Sequence, residues 1–384
     1  MEVYLDHAAT TWCCESVKEI VVKTMVEDYG NPSSMHKKGV EAEGYVKRAK
    51  EIIARQLKAK EKEIYFTSGG TESNNLAILG TAMANKRNGK RIVTTAIEHA
   101  AVQEPVKRLE ELGFETVILP VDSQGVVSMD ALEEALNPET ILVSVMYVNN
   151  ETGSVQPVEQ IAGILREKAP GALFHVDAIQ AFGKYRIYPG RMGIDLMSVS
   201  GHKIHGPKGA GFLYVREQSR IQPQILGGGQ QGGMRSGTDN VPGIAGLGAA
   251  VDEIYRDFDK KTKHMYQMKE LLAYGLARME GVLVNGMDVR LGAPHIVSAS
   301  FTGIRSEVLL HALEDKGVYI SAGSACSTHK RAGSSTLTAM GMKPKQREST
   351  VRFSLCEDTS QEEIEYCLEI LGEIVPVLKR YARR

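Results

Sequence analysis

The run Ser200-Gly201-His202-Lys203-Ile204-His205-Gly206-Pro207-Lys208-Gly209 sets a lysine just past an apolar stretch, among glycines and small polar residues. A lysine so placed can leave the surface, meet a phosphorylated cofactor and form a Schiff base with a carbonyl. A solvated loop lysine is the other way to take the same residues. Further polar clusters each follow a separate apolar run: Ser68-Gly69-Gly70-Thr71, Glu98-His99, Asn149-Asn150-Glu151, and Asp177 with Gln180. Ligands of open α/β sheets bind outside the carboxyl ends of the strands. Clusters at so many strand ends point to one active site.

Each cluster offers a distinct chemistry beside a structural role. Gly69, Gly70 and Thr71 precede a helix expected from Asn74, where close backbone approach and free N–H groups suit a phosphate. A capped helix after a tight turn fits them equally. Ser200, His202 and Thr238 could add side-chain donors to the same anion. Asp177 ends the apolar run Leu173 to Val176, where a carboxylate needs a cationic or hydrogen-bonding partner. A protonated pyridine nitrogen is such a partner and a helix N-cap is the alternative. Gln180 could bond a ring oxygen or complete a capping box.

His99 could stack on a flat cofactor and shuttle protons, or serve as a hydrogen-bonded structural histidine. Arg352 alternates with Val351 and Phe353, so it could grip a carboxylate or form a structural salt bridge. Cys326 stands in a Gly/Ser-rich segment followed by His329, Lys330 and Arg331, whose charge favours the nucleophilic thiolate. Cys13, Cys14, Cys356 and Cys367 have no comparable context and are expected to be packing residues. No metal site is expected, because His202 and His205 lack a second ligand pair.

Short apolar runs alternate with helical periodicity over most of the first 250 residues of this 384-residue chain. Strands are expected at 63–67, 92–95, 141–146 and 173–177, and a helix over 40–57. That alternation predicts an α/β domain with a mostly parallel sheet sandwiched by helices. One long amphipathic helix is expected from Tyr255 to Met279, followed by a smaller α+β domain at the C-terminus. The division predicted is 13–257 for the large domain and 258–384 for the small one, joined by segment 1–12. A net charge of -1 gives no reason to expect nucleic acid or an anionic membrane as partner. The N-terminus has no signal-peptide pattern and no run reaches membrane-spanning length, so a cytoplasmic location is expected. An odd count of five scattered cysteines argues against a disulfide framework.

Taken in order, these motifs resemble those of pyridoxal-phosphate cysteine desulfurases in the class V aminotransferase superfamily. The resemblance runs from Tyr4-Leu5-Asp6-His7-Ala8-Ala9-Thr10-Thr11 through Gly30-Asn31-Pro32-Ser33-Ser34 to Val351-Arg352-Phe353-Ser354-Leu355. It also takes in Arg235-Ser236-Gly237-Thr238 and every cluster above. It implies fold type I of the pyridoxal-phosphate enzymes, with Lys203 carrying the cofactor covalently and moving protons. Gly70, Thr71, Ser200 and His202 would hold its phosphate, Asp177 its pyridine nitrogen, Gln180 its ring oxygen and His99 its ring face. Thr238 would reach the phosphate of a neighbouring subunit, which implies a homodimer. Asn150 and Arg352 would lie near the substrate, with Arg352 on its carboxylate.

Ser321-Ala322-Gly323-Ser324-Ala325-Cys326 resembles the long-loop group, in which the cysteine takes sulfur from L-cysteine as a persulfide and alanine leaves. The acceptor would be an iron–sulfur scaffold, a tRNA-thiolating enzyme or another carrier. Two departures leave that acceptor open. Lys330 and Arg331 make the stretch after Cys326 more basic than the group's pattern, and the chain stops at Arg384 without the group's C-terminal extension. A selenocysteine lyase or another class V aminotransferase shares the fold. A non-catalytic scaffold is the alternative of a different class.

Overall fold

The computed structural model describes residues 1–322 and 334–382; segment 323–333, which holds Cys326 and its basic neighbours, lies outside the described residues. Runs apolar on both faces form the centre of a seven-stranded sheet. Thr140–Met146 and Leu196–Ser200 are buried at every position, as strands covered on both faces must be. The spatial order is Ile64–Thr67, Gly211–Val215, Leu196–Ser200, Leu173–Asp177, Thr140–Met146, Arg91–Thr95, Glu115–Leu119. Gly211–Val215 is antiparallel to both neighbours and every other pairing is parallel. Reversal on both sides of that strand leaves Ile64–Thr67 pointing the same way as Leu196–Ser200. The carboxyl ends that precede all the polar clusters therefore lie along one edge.

Helices cover the sheet with apolar faces set by sequence spacing. In Lys37–Leu57 the buried positions Ala42, Val46, Ala49, Ile53 and Leu57 recur every three or four residues. His36 accepts from the Gly39 N–H at its start. The helix begins three residues before the expected one. Such ends are set by caps rather than by the apolar stripe.

The long helix expected over Tyr255–Met279 is Phe258–Ala277, and Tyr255 belongs instead to the helix before it. Val241–Tyr255 ends where Arg256 becomes extended, and Phe258–Ala277 begins after Asp257 with φ 52°. Aspartate is among the few residues that tolerate this left-handed backbone. The break does not interrupt the pattern of charged and apolar side chains, so periodicity alone runs through it.

Beyond this break lies a four-stranded antiparallel sheet ordered Ser321–Ala322, Thr350–Ser354, Ile296–Phe301, Val282–Asn285. Phe301, Phe353, Leu309, Leu313 and Leu371 form its separate core. Full burial of a side chain such as Phe353 stabilises it by about 1.5–3 kcal/mol. Val3 and Leu5 belong to this core too, because Val3–Tyr4 pairs in parallel with Val318–Tyr319. Just past that strand Ala8 and Ala9 reach the large sheet's carboxyl edge. Among the described residues, no helix is long and apolar enough to cross a membrane.

Candidate active site

At that edge a cavity of about 290 Å³ is lined by Gly70, Thr71, His99, Asn150, Asp177, Gln180, Ser200, His202, Lys203 and Arg352. The structure thus brings together every described residue expected to act on cofactor or substrate except Thr238, which is exposed and lines neither this cavity nor the adjoining one. The adjoining cavity, about 430 Å³, shares Gly70, Thr71, Ser200 and His202 and adds Ser68, Gly69 and Lys208. Small residues, a helix start and the Lys208 ammonium would suit an anion here, and Glu72 in the same wall is paired with Arg235.

Lys203 closes a single helical turn, Gly201–Lys203, directly after the Leu196–Ser200 strand. Its Nζ donates to the carbonyls of Ala8 and Ala9, each at 2.6 Å. Helix Gly70–Asn85 starts without a side-chain cap, which favours the phosphate role for its first turn over the capped-helix alternative. Gly69 needs its φ of 145°, and a Cβ on Gly70 would lie 2.1 Å from Ile179 Cδ1. Burial, then the charges of Lys203 and Lys208, push the His202 imidazole down to about 4. It stays neutral, with Nδ1 3.2 Å from the Thr10 hydroxyl.

Asp177 ends its strand in an Asx turn, not at a helix N-cap, and no helix follows it for Gln180 to box. Its carboxylate accepts from Asn74 Nδ2 at 2.8 Å and from the Ile179 N–H at 3.0 Å. Burial still raises its pKa, against those hydrogen bonds and the nearby His99 and Lys203. His99 caps helix Ala100–Glu111, its Nδ1 accepting from the Ala101 N–H at 3.1 Å, while its ring faces the cavity. Structural and ring-facing roles therefore coexist in this one side chain.

Arg352 makes the structural salt bridge while lining the cavity. It donates to Asp6 Oδ1 at 2.7 Å and to the Asn150 carbonyl at 2.8 Å, and its Nε finds no partner among the described residues. Sequence reasoning passed over Asp6 and Asn74 because each lies in another element and acts through a neighbour. It also left Glu151 unassigned, although Ser334 donates to Glu151 at 2.5 Å where the Cys326 segment returns.

Glu98 was visible beside His99 but received no role. It is buried, with Oε1 accepting from the Thr95 hydroxyl at 2.6 Å and the Met146 N–H at 2.9 Å. Burial raises its carboxyl to about 8, outweighing those bonds. The folded state thus favours the protonated acid. That stability is complete below the ordinary carboxyl pKa and is lost as pH rises through about 8. Glu98→Gln keeps the acceptor and removes the ionisation. Its melting temperature should match the parent's near pH 4 (roughly the unfolded value), exceed it increasingly up to about pH 8, then hold a constant lead. Parallel melting curves at every pH would contradict this.

The expectation that Cys13 is a packing residue changes, and His205 has neighbours that its sequence spacing did not show. Cys13 is exposed rather than packed, its thiol directed at the Gly206 carbonyl, whereas Cys356 and Cys367 are buried. His205 gains companions from a distant part of the chain, since Cys356 and Glu357 bring possible ligand atoms within 4.8 Å of one another and of it. His205 Nε2 lies 3.4 Å from Glu357, an ion pair whenever the imidazole is protonated.

A class V aminotransferase family model matches residues 3–367. A cysteine desulfurase IscS of Dictyoglomus turgidum is 40% identical over 380 residues, 98% of this chain and 95% of that one. A solved NifS-like protein superposes with a TM-score of 0.93 at 38% identity, covering 98% of this chain and 100% of its own. A solved SspA in complex with cysteine gives 0.82 at 35% identity, with 93% and 100% covered. The chain belongs to the class V aminotransferases and, among them, to the pyridoxal-phosphate-dependent cysteine desulfurases.

The cavity fits that cofactor on its own evidence. A buried carboxylate that burial makes hard to ionise suits a cationic partner, and Gly70 stands where a Cβ would crowd Ile179 in the cavity wall. A lysine and a wall suited to an anion lie within the same hollow.

Proposed function

We propose that the protein converts L-cysteine to L-alanine and leaves the sulfur as a persulfide on Cys326 for an acceptor protein. One cavity that gathers Lys203, Asp177, His99 and Arg352, with both ends of the Cys326 segment at its rim, carries this proposal. Bound pyridoxal phosphate supplies an electron sink for the pair released at the substrate carbon. Asp177 keeps the ring nitrogen protonated, Gln180 meets the ring oxygen and His99 covers the ring face. Gly70, Thr71, Ser200 and His202 hold the phosphate. Lys203 holds the cofactor and moves protons to and from the substrate α-carbon, with His99 assisting.

Asn150 and Arg352 orient the amino acid, with the guanidinium on its carboxylate. Cys326 thiolate then attacks the substrate sulfur. An S–S bond forms as the substrate C–S bond breaks, the electron pair stays with the carbon fragment, and protonation releases alanine. Arg352→Lys keeps the charge but loses the planar fork, so it should raise KM for L-cysteine about 10–100-fold with a smaller change in kcat. Initial rates of alanine formation across substrate concentration check this.

The working unit is a homodimer, with Thr238 reaching the phosphate end of a second copy's site. Exposed Val22, Met25, Val26 and Tyr29 recur at helical spacing and supply an apolar face for such contact. Residues 13–257 form the large domain and 258–384 the small one, to which segment 1–12 is joined. The site of action is the cytoplasm, and the acceptor is an iron–sulfur scaffold or tRNA-thiolating enzyme. Anaerobic turnover with L-cysteine, following alanine and enzyme-bound persulfide together, tests the central step. Alanine without persulfide, or neither product from cofactor-loaded enzyme, would overturn it.

A further inference from the structure

Gln180 faces the cavity, and the orientation of its amide decides whether it offers a donor or an acceptor there. Two contacts fix that orientation. Gln180 Nε2 lies 2.9 Å from the Ala8 carbonyl, which can only accept, so the nitrogen must be on that side. Gln180 Oε1 then lies 3.1 Å from His295 Nε2. A flipped amide would set two oxygens against each other at Ala8. His295 must therefore carry its proton on Nε2 and donate it. Its Nδ1 has no partner among the described residues.

His295 is 2% exposed and precedes the Ile296–Phe301 strand of the other sheet, so it reaches the cavity from behind. Burial, then Lys184, Lys269, Arg352 and His7 from four surrounding elements, hold its imidazole well below the ordinary value. It remains a neutral ring with a single N–H, and that N–H is committed to Gln180.

We propose that His295 is a positioning residue for the cofactor. Together with the Ala8 carbonyl it locks the Gln180 amide so that an N–H, not the carbonyl oxygen, meets the cofactor's ring oxygen. The inference rests on the ring-oxygen role given to Gln180 above. The same Ala8 carbonyl accepts from the Lys203 ammonium at 2.6 Å, so one backbone oxygen meets both Gln180 and Lys203.

The test is the pH at which the visible band of the loaded enzyme changes, which reports how the proton is shared between ring oxygen and linking nitrogen. A donor to the ring oxygen favours the deprotonated linkage, so losing it raises the midpoint. His295→Leu should shift the midpoint upward by about one pH unit and lower kcat about 3–10-fold, with KM little changed. His295→Gln, which also presents an amide N–H at that reach, should restore the parental midpoint, whereas the shorter His295→Asn should not. If the Leu variant fails to fold, the Gln and Asn pair carries the comparison. Gln180→Ala separates the two levels of inference. A shifted Gln180→Ala with unshifted His295 variants overturns the positioning role alone. An unshifted Gln180→Ala overturns the ring-oxygen contact and the positioning role with it. Altered melting temperature with an unmoved midpoint in the His295 variants marks a purely structural residue.

Discussion

Asp177→Asn is expected to lower kcat for alanine formation about 10²–10³-fold while the protein still folds and takes up its cofactor, because a preorganised charge of this kind contributes about 2.7–4 kcal/mol. Local packing makes the substitution unusually clean. The Ile179 N–H keeps an oxygen to bond, as it does now. The new amide nitrogen would face Asn74 Nδ2, a donor against a donor. Asn74 Oδ1 is unpartnered among the described residues, so a flip of that amide turns the contact into a good hydrogen bond. Stability should move the other way from activity. Burial raises the Asp177 pKa in the fold, so the protonated form is favoured there and stability falls as pH climbs from the unfolded value through the folded one. Cofactor-free Asp177→Asn should therefore melt above cofactor-free parent at neutral pH, with the gap closing in acid. Steady-state alanine assays and melting curves across pH read both halves. Unchanged kcat would remove Asp177 from the chemistry, and a lower neutral-pH melting temperature would contradict its being a costly buried charge.

Much of this site was legible because its parts lie at strand ends, and apolar runs mark strands plainly. Leu173–Asp177 has the boundaries its sequence suggested, and each catalytic candidate there follows at a fixed short distance. What stayed hidden acts across the fold. Asp6 holds Arg352 over 346 positions, Asn74 holds Asp177 over 103, and His295 holds Gln180 over 115. Nothing local in Asp6, Asn74 or His295 marks such a partnership. The helix start at Phe258 rather than Tyr255 escaped for a related reason, since side-chain periodicity is blind to a change of backbone hand at one residue, here Asp257. The three-residue cluster at His205 joined a loop histidine to side chains some 150 positions away, beyond any spacing rule for metal ligands.

Cys326→Ser is expected to abolish enzyme-bound persulfide and to cut alanine formation by more than about 100-fold, because a hydroxyl at neutral pH offers almost none of the anion that a thiolate supplies. Cofactor and L-cysteine should still bind, since Arg352, Asp177 and Lys203 are untouched. Cys326 lies four residues beyond Ala322, outside the described residues. Ser321 pairs directly with Arg352 and Ala322 with Val351, so the chain before residue 323 runs beside the strand that carries Arg352. Four further residues span at most about 14 Å. The segment returns at Ser334, which bonds Glu151 beside Asn150, so both ends are fastened to the cavity rim. Three of the other four cysteines have thiols held away from the reactive thiolate. Burial pushes the Cys356 and Cys367 thiols up to about 12, and Cys13 is also raised by burial. Persulfide mapped after single turnover should therefore fall on Cys326 alone in the parent and on no residue in Cys326→Ser. Persulfide on another cysteine, or alanine formed at the parental rate by the variant, would mean that sulfur leaves the substrate without passing through this thiol.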